Sequence, residues 1–229
     1  MRTTLIAAAV LAAVWSDGSL SGGNVSTGPF HRCSPRGKGG DATLNERKNR
    51  DIPPRSYKTL KVSEIIDDVP AARDAGKSDR ERWTDEQRTS IESQERSGIR
   101  VVGYLAGIEK EKGEACNCGS KEFVDYHMWL VEKPRQKRSG SMVIELSPRL
   151  LDAHPSWPER AKRAWTNGAH LRISGWRTWD QEHPEQLHAN GKRHATRKTM
   201  WEIHPVHAIE IKVGSRWKNI EDVDLEAIQ

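Results

Sequence analysis

The residues best suited to chemistry lie in strand-like stretches and in the polar loop that joins two of them. In WEIHPVHAIEI (residues 201–211) the two-residue repeat of a strand puts Trp201, Ile203, Ile209 and Ile211 on one face. Glu202 and His204 then share the other face, provided that Pro205 does not shift the register. The loop before this strand contributes Asp180, Glu182 and His183, while His127 and Asp125 share a face of an earlier strand and Glu145 stands on another. Carboxylates beside imidazoles are what a divalent metal or a general acid–base pair requires, and His127, Asp180, His183, Glu202 and His204 are the candidate metal ligands. The same residues also have a plainer reading. Glu202 and His204 fit a hydrogen-bonded pair flanking a proline, and His183 and His204, each followed by proline, fit turn or strand-end positions.

No recurrent catalytic motif decides between these readings. The chain holds no HExxH, paired CxxC, EF-hand loop, P-loop or GxSxG. Cys116 and Cys118, separated only by Asn117, leave open a tight CxC bridge, a bond from Cys33 to either, a metal half-site or plain thiols. A different chemistry is offered by the loop Gln181–Thr199, where Lys192, Arg193, Arg197 and Lys198 form a cationic run beside Trp179. Such a segment suits a phosphate backbone, with bases stacked on aromatic side chains. Trp129, Trp176 and Trp179 must nevertheless also fill the core, because the chain has only two phenylalanines.

The elements that must position these residues follow from periodicity and punctuation. Strand-like runs are read at IRVVGYLAGI (with Gly103 and Gly107 suited to bending), KEFVDYHMWLVEKP, SMVIEL, HLRISGW and TMWEIHPVHAIEIKV. Between the third and fourth, Ser156 and Glu159 read as a capping box, Pro158 falls in the first turn and Asn167-Gly168 supplies the stop, with Trp157, Ala161, Ala164 and Trp165 on one helical face. Three strands, a helix and two strands predict a mainly β domain over residues 97–222, an OB-fold-like five-stranded Greek-key barrel with one helix between strands 3 and 4. A generic α+β meander is the alternative. Ahead of it, residues 17–96 read as a disordered or helical extension: a flexible linker to about Ile52, a short docking helix around Leu60–Val69, and a helix over Asp85–Arg96 capped by Thr84 and Gln87. Residues 223–229 read as a tail.

Composition narrows the setting. A chain of 229 residues that is 35% hydrophobic and 30% charged is lean for a uniformly packed globule, and a net charge of +5 with pI ≈ 9.1 leans toward polyanionic partners. The first 16 residues carry one early positive charge and then an apolar run from Leu5 to Trp15, too short to span a bilayer, with Val14 and Ser16 at cleavage-like positions. They read as a signal peptide, and the mature chain as periplasmic or secreted. Phe30-His31-Arg32 ahead of Cys33 is not a lipid-attachment sequence.

ISGWRTWDQEHPEQL followed by WEIHP, with DYHMWL and CNC upstream, resembles a group of exported bacterial proteins that carry an OB-like domain. The resemblance covers roughly residues 98–220 and implies fold and compartment; it brings no activity or catalytic residue with it. Three functions follow as expectations. One is a non-enzymatic, exported binding module for single-stranded nucleic acid or another polyanion. Another is a phosphodiesterase-like hydrolase with a divalent metal as cofactor and Arg193 or Arg197 steadying developing charge. The third is a structural envelope or partner-binding domain.

Overall fold

The structure, a computed structural model, describes residues 26–70, 72–73, 79–188 and 195–225. The expected signal peptide, and Lys192, Arg193 and His194 of the cationic loop, lie outside the described residues. The described residues form seven strands: β1 (Tyr57–Lys61), β2 (Gly98–Lys110), β3 (Tyr126–Val131), β4 (Met142–Leu146), β5 (Leu171–Trp179), β6 (Trp201–Val213) and β7 (Arg216–Asn219). Antiparallel pairings join β2 to β3, β3 to β4, β5 to β6 and β2 to β5, and a parallel pairing of β4 with β6 closes the ring. The result is the predicted OB-like barrel: five strands, mainly β, with a helix, α5 (Trp157–Thr166), between the third and fourth barrel strands.

Alternation sorts the barrel strands into an apolar interior and a mixed exterior. Met128, Leu130, Met142, Ile144, Ile173, Ile203 and Ile209 point inward and belong to one buried cluster. Register places His127 opposite Glu145 and Val143 beside Glu202, so these side chains point out of the barrel. Strand β6 keeps its pattern past Pro205 because its pairing with β5 slips twice around Gly175, each time by one extra β6 residue. Two slips restore the parity, so Trp201, Ile203, Ile209 and Ile211 are all buried and Glu202 and His204 share the opposite face. Gly175 is required there, since a Cβ would lie 2.3 Å from the Pro205 carbonyl oxygen. Gly107 lies where the β2–β3 register shifts, and its Cβ would meet the Arg138 guanidinium at 2.3 Å.

The extension is the main correction. Residues 26–52, expected as a flexible linker, fold against the barrel through polar contacts rather than an apolar core, which is why hydrophobic content did not reveal them. Helix α1 (Ala42–Lys48) is capped by Asp41, and Lys48, Asn49 and Arg50 are each 1% exposed. Arg50 donates to the carbonyls of Glu95 (2.6 Å) and Arg177 (3.0 Å) and to the Thr178 hydroxyl (2.6 Å). The docking helix expected over residues 60–69 divides into strand β1, paired parallel to β2, and a short helix α2 (Val62–Ile66), with Val69 exposed. Helix α3 (Asp85–Glu95) has the Thr84–Gln87 capping box expected of it.

Three smaller differences have local causes. Ser156 does not cap α5; its hydroxyl donates instead to Glu221 (3.1 Å), and Trp165 is 39% exposed while Trp157, Ala161 and Ala164 are buried. Gly214 at φ +59 turns the chain after β6 and adds β7, whose polar RWKN gave no strand signal. Residues 223–225 are no free tail: Val223 and Leu225 are buried, with their carbonyls bonded by Arg160 and Asn167.

A buried ion pair ties the extension to β5. Arg80 grips Glu95 through two bonds (2.5 and 2.8 Å) and also donates to the Trp179 carbonyl at 2.7 Å. Burial would raise the Glu95 pKa, but Arg80, Arg50 and Arg47 together hold it below its ordinary value. Arg80→Met strands Glu95 with weaker partners and is expected to cost about 3–5 kcal/mol by urea denaturation. A loss below about 1 kcal/mol would show that Arg47 and Arg50 suffice.

His207 adds a pH response. Its Nε2 lies 3.1 Å from the Arg50 carbonyl oxygen, and burial, with the Arg50 charge nearby, lowers its pKa to about 4. The unfolded chain, with an ordinary value near 6.5, takes up the proton first, so stability is full above about pH 6.5 and falls as pH drops toward 4. The contribution is about 2–3 kcal/mol. His207→Gln should flatten the decline between pH 6.5 and 4 relative to the parent, measured as denaturant midpoints in parallel; identical slopes would remove His207 as the cause.

Candidate metal centre

The outward face of β3, β4 and β6 carries no solvent-exposed sheet surface where His127, Glu145, Glu202 and His204 meet. It is walled by the β2–β3 loop (Glu114, Cys116, Asp125), by the β5–β6 loop (Asp180, Arg197) and by α1, which inserts Lys48. Asp125, Glu145, Asp180, Glu202, His204 and Arg197 are all fully buried, and His127 is nearly so. OB barrels hold ligands on this face, between these two loops.

Glu145 is the hub. Its Oε1 lies 2.6 Å from His127 Nε2 and its Oε2 lies 3.0 Å from His204 Nδ1. His204 Nε2 faces Asp125 Oδ1 at 3.7 Å, and Glu202 Oε2 lies 3.7 Å from His204 Nδ1. Arg197 reaches Glu202 at 2.7 Å and Asp180 at 3.8 Å. Toward solvent, His127 Nδ1 lies 3.1 Å from Glu111 and Nε2 lies 3.9 Å from Glu114. Among the described residues, four triads offer ligand atoms within 4.8 Å of one another: Asp125–Glu145–His204, Glu114–His127–Glu145, Glu145–Asp180–Glu202 and Glu114–Cys116–Asp125. Glu145 belongs to three of them.

Proximity has not produced hydrogen bonding. Both oxygens of Glu145 and of Glu202, Asp125 Oδ1, Asp180 Oδ2, His127 Nε2 and both ring nitrogens of His204 are buried without a hydrogen bond of normal geometry. Ion pairing offsets part of their desolvation, but buried polar atoms without a hydrogen bond are rare in folded proteins. Charge is also unbalanced: the carboxylates Glu114, Asp125, Glu145, Asp180 and Glu202 face the permanent cations Lys48 and Arg197. Five carboxylates against two cations leave a formal charge of −3, of which two imidazolium rings or one divalent cation would offset two.

The titration behaviour reflects that imbalance. Burial alone would lower both imidazoles, but Glu145, assisted by Glu111 and Glu114, pushes His127 up to about 9. Glu145, Asp125 and Glu202 hold His204 well above its usual value. Burial and the Glu145 charge together raise Glu202, whereas His127, His204 and Lys48 overcome burial to hold Glu145 well below the usual carboxylate range. A cation bound among these groups would need the neutral imidazoles, so its binding would release protons.

Of the residues singled out from sequence, His127, Asp180, Glu202 and His204 converge here. His183 lies at the rim, 28% exposed, with Nε2 3.8 Å from Asp180 Oδ2. Asp125 and Glu145, noted only as sharing strand faces, are central, and Glu114, Cys116 and Lys48 were missed because a polar loop and a lean extension carry no periodicity. The cationic-loop candidates fare differently. Arg197 is not on an exposed surface: it is fully buried against Glu202 and Asp180. Trp179 is buried edge-on to Trp201 at 5.0 Å between ring centres and presents no stacking face, while Lys198 is exposed.

Of the open cysteine pairings, the disulfide is Cys33–Cys118; Cys116 stays a buried thiol, its pKa pushed well up by burial and by Asp125 and Glu114. No family model, curated protein or solved structure matches this chain. The functional reading therefore rests on the geometry. Among the described residues, no helix is long and apolar enough to cross a membrane.

Proposed function

We propose that this chain is a metal-binding OB-fold protein that holds one divalent cation on the ligand face of its barrel, with Glu145, His204 and Asp125 as ligands and His127 and Glu114 on the solvent side. The observation that carries this reading is the set of buried, mutually close oxygens and imidazole nitrogens that lack hydrogen bonds. A mixed imidazole–carboxylate shell suits a first-row transition ion such as zinc or manganese better than calcium or magnesium, whose usual shells are all oxygen. The disulfide agrees with export to an oxidising compartment. A polyanion finds less support on this face, which is acidic and covered by the extension.

Hydrolysis of a phosphodiester is a second reading, favoured by the position of the cluster between the two ligand loops and by the partly exposed rim of Glu111, Glu114 and His183. A cation there would polarise a phosphoryl oxygen, and the rim carboxylates would accept the proton of attacking water. Arg197, spent on Glu202 and Asp180, does not serve this reading.

The test is elemental analysis of protein purified without chelator, followed by calorimetric titration of stripped protein with zinc and with manganese. About one ion per chain at micromolar affinity or tighter is expected. No bound ion and no heat would end the metal reading; binding without chelator-sensitive cleavage of an activated phosphodiester would end only the hydrolytic one.

A further inference from the structure

The segment that covers the site also delivers a charge into it. Lys48, in the last turn of α1, is 1% exposed, and its ammonium lies 3.3 Å from Glu114 Oε2 and 3.6 Å from Asp180 Oδ2. It makes one hydrogen bond there, to Glu114. Beside it, Glu145, Asp180 and Glu202 bring carboxylate oxygens within 4.8 Å of one another, and Asp180 Oδ2 and both oxygens of Glu145 and Glu202 are buried without a hydrogen bond. This second donor set shares Glu145 with the first. Paired metal ions typically sit about 3.5–4 Å apart, a separation that a shared carboxylate bridges.

We infer that Lys48 is a built-in second cation: its ammonium takes the charge position that a second metal ion would hold among Glu145, Asp180 and Glu202, so the centre binds one ion with Lys48 present and two once Lys48 is removed. The inference rests on the metal reading above. An ammonium is a compact point charge on a flexible stem, able to neutralise several carboxylates without matching the directed geometry of any one. That is the arrangement seen: the ammonium lies at ion-pair distance from two carboxylates, Glu114 and Asp180, and leaves Asp180 Oδ2 without a hydrogen bond. Arg197 supplies one positive charge to the same set, at 2.7 Å from Glu202 and 3.8 Å from Asp180, and Lys48 supplies the second from the Glu114 side. The charge is also supplied from outside the barrel, so the number of ions the face accepts depends on whether residues 26–51 are docked.

The experiment compares the full chain with Lys48→Met and Lys48→Arg. Each is stripped of metal, refolded in manganese where folding requires it, and titrated with Mn²⁺ by calorimetry and electron paramagnetic resonance. One ion for the parent and for Lys48→Arg, and two for Lys48→Met with the broadened spectrum of a spin-coupled pair, is the expected result. One ion in Lys48→Met overturns the inference and leaves the metal reading standing, as do two ions in the parent or in Lys48→Arg. Binding by none of the proteins overturns both.

Discussion

Glu145→Gln is expected to abolish tight binding of the divalent cation and to destabilise the metal-free protein by about 3–5 kcal/mol, the largest effect of any single substitution on the ligand face. The size follows from its position. Glu145 is fully buried, pairs with both imidazoles, and is the carboxylate common to three of the four ligand triads. An amide keeps the volume but removes the charge that holds His127 and His204 protonated, leaving two buried rings without their principal partner. In the parent, a cation at a thousandfold excess over its dissociation constant should add about 4 kcal/mol to unfolding. Without metal, the imidazoles have folded pKa values above the unfolded value, so their contribution is complete below about pH 6.5 and His127 loses its share as pH rises through about 9. Bound metal needs the neutral rings, so cation binding should strengthen over the same rise. Denaturant midpoints with chelator and with zinc, from pH 6 to 9.5, check both signs. A Glu145→Gln protein that binds zinc as the parent does would remove Glu145 from the centre.

What could be read in the sequence depended on whether a residue belonged to a repeat. Strands β2 to β6 announced themselves through alternation, and that alternation placed Glu202 and His204 on one face, since the two slips around Gly175 cancel. The strand positions of His127 and Glu145 were equally legible, while Asp125, expected on the same strand as His127, lies in the loop just before β3; their convergence required the ring closure by the parallel β4–β6 pair, which no local pattern encodes. Lys48 and Arg50 carried no signal because the extension is held by guanidinium, amide and carboxylate contacts, each specific to a three-dimensional partner. Arg197 misled for a related reason. A run of lysines and arginines in a loop ordinarily faces water, whereas here one member turns inward to answer an excess of buried carboxylate.

The same dependence on long-range contacts makes the Cys33–Cys118 bond the second large lever. It closes a loop over a sequence separation of 85 residues, and chain entropy for a loop of that length gives a stabilisation of about 4–5 kcal/mol. Other ties between the extension and the β2–β3 loop are non-covalent: the Lys38 N–H to the Ala115 carbonyl (2.8 Å), Asn49 to the Cys116 carbonyl (2.8 Å), the Lys48–Glu114 ion pair (3.3 Å) and the His31 ring stacked on Phe123 (3.9 Å). Arg149 adds a bond to the Cys33 carbonyl at 3.1 Å from the start of α4 (Pro148–Leu151). Each contributes about 1 kcal/mol, so the covalent bond is the largest single tie holding residues 26–51 over the cluster. Cys33→Ser/Cys118→Ser, made with Cys116→Ala to prevent exchange with the free thiol, should therefore lose about 4 kcal/mol relative to Cys116→Ala alone. Limited proteolysis should then cut first within residues 26–51, and the metal centre, deprived of Lys48 whenever α1 lifts, should exchange its ion faster. If the loss is under 1 kcal/mol and the cleavage pattern does not change, Arg50 and Arg149 hold the extension by themselves, and the disulfide has no part in closing the face.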